Sequence, residues 1–430
     1  GCPTPGLRAT AEPATLAGMR AKSATSRVMW FFAIVYAVEG IGQAGAGILG
    51  QPITYYLKQV MGWDPVHVSA AFAALDIPWI IKPLWGAISD FVPLFGYRRR
   101  TWLVAANLLG TGAFAWVAIL GGGTLLIPAL IVTALAMAVS STLCGALLVE
   151  TGQKHDGSAA FVNQQWLWFN IAQMIAVLTA GWLIEVLSPS EALRISAWIA
   201  AVAPLAIIGS VWMIEEEPAR IDLASLKVRF TALMAAFRTR NMYLVMGFLF
   251  LYYFSPSFGT PLYFLMTDQL HFSQGFISVL TSIGAGGWIL GGLLHRLVLR
   301  RLSQPALLRL SILGGTVATL AYLLLSGPVS AVLLSIFGGL TSMIAFVATL
   351  SLAADSCPEG AEGFAFAGMM SVLNLAQPIG NTLGSALYEH VFDRHLPPLI
   401  VVSAIATGLV FFLVPFMTFR ETREEALASG

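Results

Sequence analysis

Charged side chains are scarce in this sequence. Asp, Glu, Lys and Arg make up 10% of the 430 residues, whereas an average soluble domain contains about 25%. Hydrophobic residues supply 57%, and the mean hydropathy is +0.79. This composition excludes a soluble globular protein and predicts a polytopic membrane protein. The formal net charge of +1 excludes a strongly basic face, so we expect no nucleic-acid partner.

Cysteine and histidine are also sparse. The three cysteines, Cys2, Cys144 and Cys357, are widely separated and odd in number, so the sequence predicts neither a disulfide framework nor a metal site. The histidines lie near the edges of predicted spans and form no metal-ligand or acid–base motif. They are His67, His155, His271, His295, His390 and His395. We therefore expect no cofactor, and a membrane enzyme or a receptor is the less favoured alternative.

Twelve apolar runs are long enough to cross a bilayer, which takes about 20 helical residues. They cover residues 28–57, 66–92, 101–121, 125–150, 160–186, 192–214, 241–267, 273–297, 306–325, 329–352, 363–389 and 398–419. The sequence thus predicts an all-α membrane protein with twelve transmembrane helices. Residues 1–26 are small and polar, and we expect them to form a disordered cytoplasmic tail.

The basic residues are distributed unevenly between the predicted loops. Of the 23 Lys and Arg residues, only Lys58, Arg194 and Arg394 fall on the side opposite the N-terminus. Lys82 lies inside a span, and all the others fall on the side of the N-terminus. Because loops rich in Lys and Arg stay in the cytoplasm, both termini are predicted to be cytoplasmic. We expect a multi-pass protein of a bacterial inner membrane.

A charged segment divides the predicted spans into two sets of six. Residues 215–240 would form a cytoplasmic linker between bundles at 27–214 and 241–420, and residues 421–430 a second tail. The fifth and eleventh spans share a pattern, NIAQMIAVLTAGWLIE at 170–185 and NLAQPIGNTLGSALYE at 374–389. Spans six apart run in the same direction. The pattern therefore indicates a parallel repeat, as in the major facilitator transporters; chance similarity of apolar helices is the alternative.

The first and seventh spans are interrupted at matching places. Glu39 and Gln43 of the first span precede a run of glycines and Pro52, and the seventh span contains Ser255 and Pro256. Paired interruptions of this kind point to the substrate site of a repeated transporter fold. The helical rise places Glu39 near the midplane, where a carboxyl group is either functional or part of a structural ion pair.

The second span carries three charged residues. Asp76 is predicted near the midplane, Lys82 one to two turns deeper, and Asp90 at the cytoplasmic end. Trp79 shares a helix face with Asp76 because of its i, i+3 spacing. Lys82 can neutralise Asp76, Asp90 or Glu39, or it can contact an anionic substrate, and the sequence leaves these alternatives open.

Amide and aromatic groups in four spans complete the predicted substrate site. Such groups either line a cavity or hydrogen-bond between helices, and the sequence does not choose between the two roles. The candidate substrate-binding residues are Glu39, Gln43, Asp76, Trp79, Lys82, Asn163, Trp166, Asn170, Gln173, Tyr253, Ser255, Asn374, Gln377 and Asn381. Glu39 and Asp76 are also the candidate proton carriers.

The loop after the second span contains a further motif. It reads Gly86-x-x-x-Asp90, followed by Gly96 and three arginines. This resembles the loop in major facilitator proteins in which an aspartate and basic residues form a cytoplasmic latch. We assign gating roles to this latch, to the acid that ends the fourth span and to the proline at the break in the seventh. These residues are Asp90, Arg98, Arg99, Arg100, Glu150 and Pro256.

Three stretches together are similar to the folate–biopterin transporter family, a branch of the major facilitators. They are PWIIKPLWGAISDFVPLFGYRRR at 78–100, SPSFGTPLYFLMTDQLHFS at 255–273 and CPEGAEGFAFAGMMSVLNLAQPIGNTLG at 357–384. The fourth span departs from the family pattern, because SSTLCGALLVE at 140–150 has Glu150 as its single acid. The resemblance implies a symporter that moves a folate- or pterin-like anion by proton-coupled alternating access, and we expect a monomer. A sugar, an amino acid or a drug is the alternative cargo.

Overall fold

The computed structural model describes residues 14–43, 45–154, 158–216, 218, 231, 240–357 and 362–417. In the N-terminal half, up to residue 216, the helices are α1 (Ala14–Gly42), α2 (Gly50–Gln59), α3 (Pro65–Ile80), α4 (Lys82–Phe91), α5 (Arg100–Leu120), α6 (Leu126–Lys154), α7 (Ser158–Val186) and α8 (Pro189–Ser210). In the C-terminal half, from residue 240, they are α9 (Arg240–Tyr253), α10 (Gly259–Asp268), α11 (Gln274–Leu297), α12 (Gln304–Ala321), α13 (Pro328–Asp355), α14 (Glu362–Ala386) and α15 (Leu396–Leu409). Within the described residues, the β-structure is limited to one isolated bridge between Leu94 and Tyr97.

Nine helical stretches of the described chain are long and apolar enough to cross a membrane. They are Pro65–Ser89, Arg100–Leu120, Leu126–Leu148, Gln165–Val186, Pro189–Met213, Gln274–Leu297, Gln304–Leu324, Pro328–Asp355 and Leu396–Phe416. The predicted spans 28–57, 241–267 and 363–389 fall outside this set. The first two are each divided by a break in the helix, and the third lies in α14, which carries several amide side chains.

The break between α1 and α2 depends on glycine. The main-chain N–H of Ile48 donates to the main-chain oxygen of Ile41 at 2.9 Å, so the chain folds back over the end of α1. A Cβ atom at Gly47 would lie 2.1 Å from that same oxygen. Only a residue without a side chain fits this close approach.

A second break, at Ile81, separates α3 from α4. Pro83 has no N–H, so it cannot donate to the main-chain oxygen of Trp79 as an ordinary residue would in a continuous helix. Asn374 of α14 supplies the missing donor, because its Nδ2 lies 3.0 Å from the Trp79 oxygen. The break in the second span is therefore joined to α14.

A third break separates α9 from α10, and it also lies against α14. The N–H of Ser257 donates to the main-chain oxygen of Gly380 at 3.1 Å, and the Ser403 hydroxyl donates to the oxygen of Pro256. A Cβ atom at Gly384 would lie 1.9 Å from the Ser257 oxygen. The two glycines of α14 thus let the interrupted backbone pack directly on this helix.

The helices pack in corresponding pairs in the two halves. In the N-terminal half α1 packs on α7, α5 on α6 and α8, and α3 on α6. In the C-terminal half α9 packs on α14, α12 on α13 and α15, and α11 on α13. The halves meet where α3 packs on α14 and where α7 packs on α11. Most of the buried apolar side chains form one large cluster in each half.

The N-terminal segment differs from the predicted disordered tail. Helix α1 begins at Ala14, inside the segment 1–26 that we expected to lack structure. The sequence ATLAGMRAKSATSR at 14–27 is rich in Ala, Met, Lys and Arg, which favour helix, and it continues directly into an apolar helix. Residues 1–13, the tail 421–430 and most of the predicted linker 215–240 lie outside the described residues.

Candidate functional site

A cavity of about 480 Å³ lies between the two halves. It is lined by residues at 43, 45–47, 50, 51 and 54, by α3, by Val177 of α7, by α10 and α11, and by α14. Its polar lining consists of amides, hydroxyls and one carboxyl group. These residues are Gln43, Gln51, Thr54, Ser69, Asp76, Thr260, Tyr263, Thr281 and Asn381. We call this space the central cavity.

Asp76 gives the central cavity its charge. It is the only Asp, Glu, Lys, Arg or His among the described residues that line the cavity. The side chain is half-buried, and no described residue donates a hydrogen bond to it. The carboxylate is therefore available to a molecule in the cavity.

Two amide side chains that line the central cavity are also available to a molecule in it. Gln43 follows the end of α1 and Asn381 lies on α14, so they reach the central cavity from different halves of the protein. Neither side chain hydrogen-bonds to a described residue. The structure thus brings Gln43, Asp76 and Asn381, three of the predicted substrate-binding residues, to one space.

Glu39 and Lys82 lie away from the central cavity and meet through a serine. The Ser141 hydroxyl of α6 donates to Glu39 Oε1 at 2.9 Å, and Lys82 Nζ donates to Ser141 Oγ at 3.2 Å. Glu39 Oε2 is buried without a hydrogen-bond partner among the described residues. Lys82 Nζ also lies 4.4 Å from the centre of the Trp79 ring. Of the two acidic candidates whose side chains the structure describes, Lys82 approaches Glu39 and forms no ion pair with Asp76.

The predicted amides of α7 hydrogen-bond to the main chain. Asn170 Nδ2 donates to the oxygen of Trp166 at 2.6 Å, and Gln173 Nε2 donates to the oxygen of Ala46 at 3.2 Å. The Trp166 ring meets Phe346 of the other half edge to face, with centroids 5.2 Å apart. The side chain of Asn163 lies outside the described residues.

The remaining predicted residues belong to the C-terminal half. The Tyr253 hydroxyl hydrogen-bonds to Thr349 Oγ1 at 2.8 Å, and the Ser255 hydroxyl donates to the oxygen of Ser403 at 3.0 Å. Asn374 donates to Trp79 across the two halves. Gln377 is exposed on α14. Tyr253, Ser255 and Asn374 thus connect helices, and none of these four residues is among those that line the central cavity.

The predicted latch is held by a residue that the sequence analysis did not select. One oxygen of Glu216 accepts the N–H groups of Arg98 and Arg99 at 2.8 Å each, and the other accepts that of Arg100 at 2.9 Å. A carboxylate in this position satisfies free donors at the N-terminus of α5. The acidic run that begins at Glu215, after the sixth span, was the available signal. The side chains of Asp90 and Glu150 lie outside the described residues.

Contacts between the halves close the end of the central cavity that is predicted to face outward. Lys58, one turn beyond Thr54, pairs with Asp268 at the end of α10. Gln51 Nε2 donates to Gln274 Oε1 at 2.9 Å, and this oxygen also accepts the Tyr263 hydroxyl at 2.9 Å. The hydroxyls of Ser69 and Ser385 lie 2.6 Å apart, and the N–H of Gly275 donates to Glu185 at 2.9 Å.

This closure could have been found from the repeat. Lys58 ends the first span and Asp268 ends the seventh, so charges of opposite sign stand at equivalent places in the two halves. Lys58 was predicted to lie on the side opposite the N-terminus, and no gating role was predicted for it. Among the described residues, no three His, Cys, Asp or Glu side chains are grouped closely enough to hold a metal ion.

The sequence is similar to a family of transporters. The sequence profile of the BT1 family matches residues 43–424. The Folate-biopterin transporter of Synechocystis sp. is 28% identical over 404 residues, which cover 87% of this chain and 78% of that protein. Folate transporter 1 of Plasmodium falciparum is 23% identical and covers 84% of this chain and 74% of its own length.

Solved structures with the same fold are also transporters. The crystal structure of the nucleoside transporter NupG has a TM-score of 0.65 at 14% identity and covers 92% of this chain and 98% of its own. The inward open xylose transporter XylE from E. coli has a TM-score of 0.69 at 12% identity, covering 94% and 99%. Such likeness shows the major facilitator fold.

The family profile spans most of the sequence, and the described part holds nine candidate membrane helices. This chain is therefore an integral multi-pass membrane protein that belongs to the BT1 family, a family of transporters rather than enzymes.

Proposed function

We propose that this protein is a secondary transporter that moves a folate- or pterin-like solute by proton-coupled alternating access. The observation that carries the proposal is the central cavity, which lies between two similarly packed halves and is closed at one end by contacts between them. Relatives over most of the chain are named folate-biopterin and folate transporters. A cavity of 480 Å³ is within the usual range for a small-molecule site.

The proposed architecture has twelve spans in two bundles, 27–214 and 241–420, with residues 215–240 between them. The corresponding helix pairs in the two halves support a parallel repeat. The nine apolar helices would be joined by the broken first span, the broken seventh span and the amide-bearing α14, which together make twelve. Both termini would be cytoplasmic in a bacterial inner membrane, since the basic loops lie on one side, and we propose a monomer.

In an alternating-access cycle the central cavity opens to each side in turn. The Lys58–Asp268 ion pair and the Gln51–Gln274 hydrogen bond close its predicted outer end, so they must separate before solute can exchange there. At the predicted cytoplasmic end, the loop held by Glu216 would be the latch. Asp90, Glu150 and Pro256 remain proposed gating residues.

Glu39 and Asp76 are the proposed proton carriers. Asp76 faces the central cavity, while Glu39 and Lys82 share Ser141. Protonation of Glu39 would convert a neutral carboxylate–ammonium arrangement into a net positive one. Such a change in local charge biases the equilibrium between two packings of the same helices.

The test is uptake of labelled folate and pterin into proteoliposomes under an imposed proton gradient. We expect Glu39→Gln and Asp76→Asn each to lower gradient-driven accumulation at least about tenfold. Asp393→Asn is the matched control, because Asp393 is exposed and outside the cavity. Undiminished proton coupling in both variants would remove the proposed carriers, and no uptake of either compound by the wild type would reject the solute class.

Another cargo is the second candidate. Amides and hydroxyls dominate the polar lining of the central cavity, and Phe72 and Tyr263 are the aromatic residues that line it. Such a lining also suits a sugar, and xylose and nucleoside transporters share the fold. Competition of labelled folate uptake by sugars, amino acids and nucleosides would distinguish the two candidates.

A further inference from the structure

The one ionisable group in the described lining of the central cavity is a carboxyl group, which bears on the part of a folate- or pterin-like solute that the cavity can hold. Asp76 is the charged residue of the described lining. The two lysines of the surrounding helices are engaged elsewhere. Lys58 contacts Asp268 and Thr267, and Lys82 contacts Ser141 and the face of Trp79. No described lysine or arginine is thus positioned to neutralise an anion in the cavity.

The solutes of this class have two chemically distinct ends. The pteridine head of a pterin or folate carries an N3–H and a 2-amino group side by side, next to a 4-oxo group. A folate also carries a glutamate tail with two carboxylates. A carboxylate of the protein repels such a tail in a site of low polarity, but it offers two acceptor oxygens to a pair of parallel N–H donors.

We propose that Asp76 binds the 2-amino and N3–H edge of the pteridine ring and that the central cavity selects pterin heads over anionic tails. This assignment rests on the proposed function and names the recognition element of that same site. The proposed contact requires the ionised form of Asp76, because both oxygens of a carboxylate are then hydrogen-bond acceptors. Unconjugated pterins are then the preferred cargo.

The groups around Asp76 suit the rest of the ring. Phe72 lies one helical turn before Asp76 on the same face of α3, and both line the cavity. Its ring passes beside Gly45, with Cδ1 3.7 Å from the position of a Cβ atom there. Trp79, one turn beyond Asp76, is covered by Lys82. Tyr263, the other aromatic residue of the lining, is engaged with Gln274 and Lys58, so we assign the stacking of the flat pteridine to Phe72.

The free amides complete the recognition. Gln43 and Asn381 line the cavity from opposite halves without side-chain partners among the described residues. Each amide has both donors and an acceptor, so each can bond to the 4-oxo group or to a ring nitrogen. A ligand held by Asp76 and by Asn381 bridges the two halves.

The test is equilibrium binding to the full-length protein in lipid nanodiscs with four probes. They are pterin, its 2,4-dioxo analogue lumazine, folic acid and p-aminobenzoylglutamate, which is the folate tail without the pteridine. Lumazine has an acceptor where pterin has the 2-amino donor. We expect the wild type to prefer pterin over lumazine by on the order of tenfold or more, as a bidentate contact does. The tail fragment should not bind measurably.

Asp76→Asn should change the preference and not only the affinity. An asparagine amide presents one acceptor and one donor, which match the N3–H and 2-oxo groups of lumazine but not the two donors of pterin. The ratio of the two affinities should fall to about one or below. Asp76→Glu keeps two acceptor oxygens and should retain the preference for pterin, and Asp393→Asn should leave the ratio unchanged.

The outcomes separate this assignment from the proposed function. A wild-type protein that binds folates but does not distinguish pterin from lumazine overturns the assignment, and so does Asp76→Asn with a wild-type ratio. In both cases the proposed function still holds. If no pteridine and no folate binds the wild type, the proposed function fails and the assignment fails with it. The wild-type comparison needs no variant, so it decides even where Asp76→Asn does not fold.

Discussion

Asn374 donates to the main-chain oxygen of Trp79 at 3.0 Å, across the junction of the two halves. This oxygen lacks its helical donor because Pro83, four residues further along, has no N–H. The main-chain oxygen that the break in the second span leaves without a helical donor is thus paired with an amide of the eleventh span. The contact joins α3, which carries Asp76, to α14, which carries Asn381.

We predict that Asn374→Ala lowers the free energy of unfolding by about 1 kcal/mol, the usual net value of such a hydrogen bond. In a Pro83→Ala background, residue 83 regains an N–H that can donate to Trp79, so the same substitution should cost less. A double-mutant cycle of thermal or denaturant stability in detergent measures this coupling. If the losses of unfolding free energy caused by Asn374→Ala and Pro83→Ala were strictly additive, the N–H of residue 83 would not replace the Asn374 amide as donor to Trp79, and the prediction would be wrong.

The second prediction concerns the closed end of the central cavity. Lys58 and Asp268 pair across the halves, with side-chain exposures of 10% and 53%. A partly exposed pair contributes about 0.2–1 kcal/mol, so Lys58→Ala should raise the population open at that end up to about fivefold. The measurement is labelling of Thr54→Cys, a cavity position, by a membrane-impermeant thiol reagent in a background without native cysteines.

Two further variants make that measurement specific. Exchange of the charges, Lys58→Asp with Asp268→Lys, should restore slow labelling, since the pair can re-form. Arg394→Ala removes another ion pair, but Arg394 and Glu389 belong to the same half, so labelling should not change. Equal acceleration by Lys58→Ala and Arg394→Ala would show that general destabilisation, and not the gate, is being measured.

A third prediction isolates the serine between Glu39 and Lys82. Ser141→Ala removes the group that hydrogen-bonds to both side chains. A hydrogen bond to a charged group contributes about 1.5–3 kcal/mol, so we expect at least about a tenfold loss of gradient-driven accumulation. Exchange of labelled for unlabelled solute without a gradient should persist, because Ser141 does not line the central cavity.

Thr142→Ala is the matched control for this serine. Thr142 is the next hydroxyl residue on α6, but it donates to Ala138 of its own helix at 2.7 Å. Its removal should leave both exchange and accumulation near wild-type levels. If Ser141→Ala abolished exchange as well as accumulation, the serine would be needed for translocation itself and not for coupling.

The sequence was sufficient for the parts of the fold that depend on apolar length and on Gly or Pro. The breaks near Gln43 and at Pro256 were predictable, because glycine and proline interrupt helices for local reasons. Asp76 and Glu39 were both predicted near the midplane, but only Asp76 lines the central cavity, so depth alone does not identify a cavity residue. Nine of the predicted spans correspond to apolar helices in the described chain.

The partners of polar side chains were not predictable in the same way. Gln173 and Asn374 carry the same amide as Gln43, yet each donates to a main-chain oxygen, while Gln43 faces the central cavity. The choice depends on which neighbouring carbonyls lack a donor, which is a property of tertiary packing. Lys82 lies on α4 and Asp76 on α3, because the break at Ile81 divides the second span, so the relative orientation of these two side chains also depends on the fold.

The last prediction concerns the close approach of α14 to the broken seventh span. A Cβ atom at Gly384 would lie 1.9 Å from the main-chain oxygen of Ser257, and backbone atoms cannot yield as a flexible side chain can. Gly384→Ala should therefore lower the free energy of unfolding by about 1–3 kcal/mol and reduce transport.

Gly247→Ala is the matched control in α9, because nothing lies within 4 Å of its Cβ position. It should be neutral or slightly stabilising, since alanine favours helix over glycine by about 1 kcal/mol. Thermal unfolding of both variants in one detergent gives the comparison, and a Gly384→Ala protein as stable as Gly247→Ala would show that the interrupted backbone is free to move away from α14.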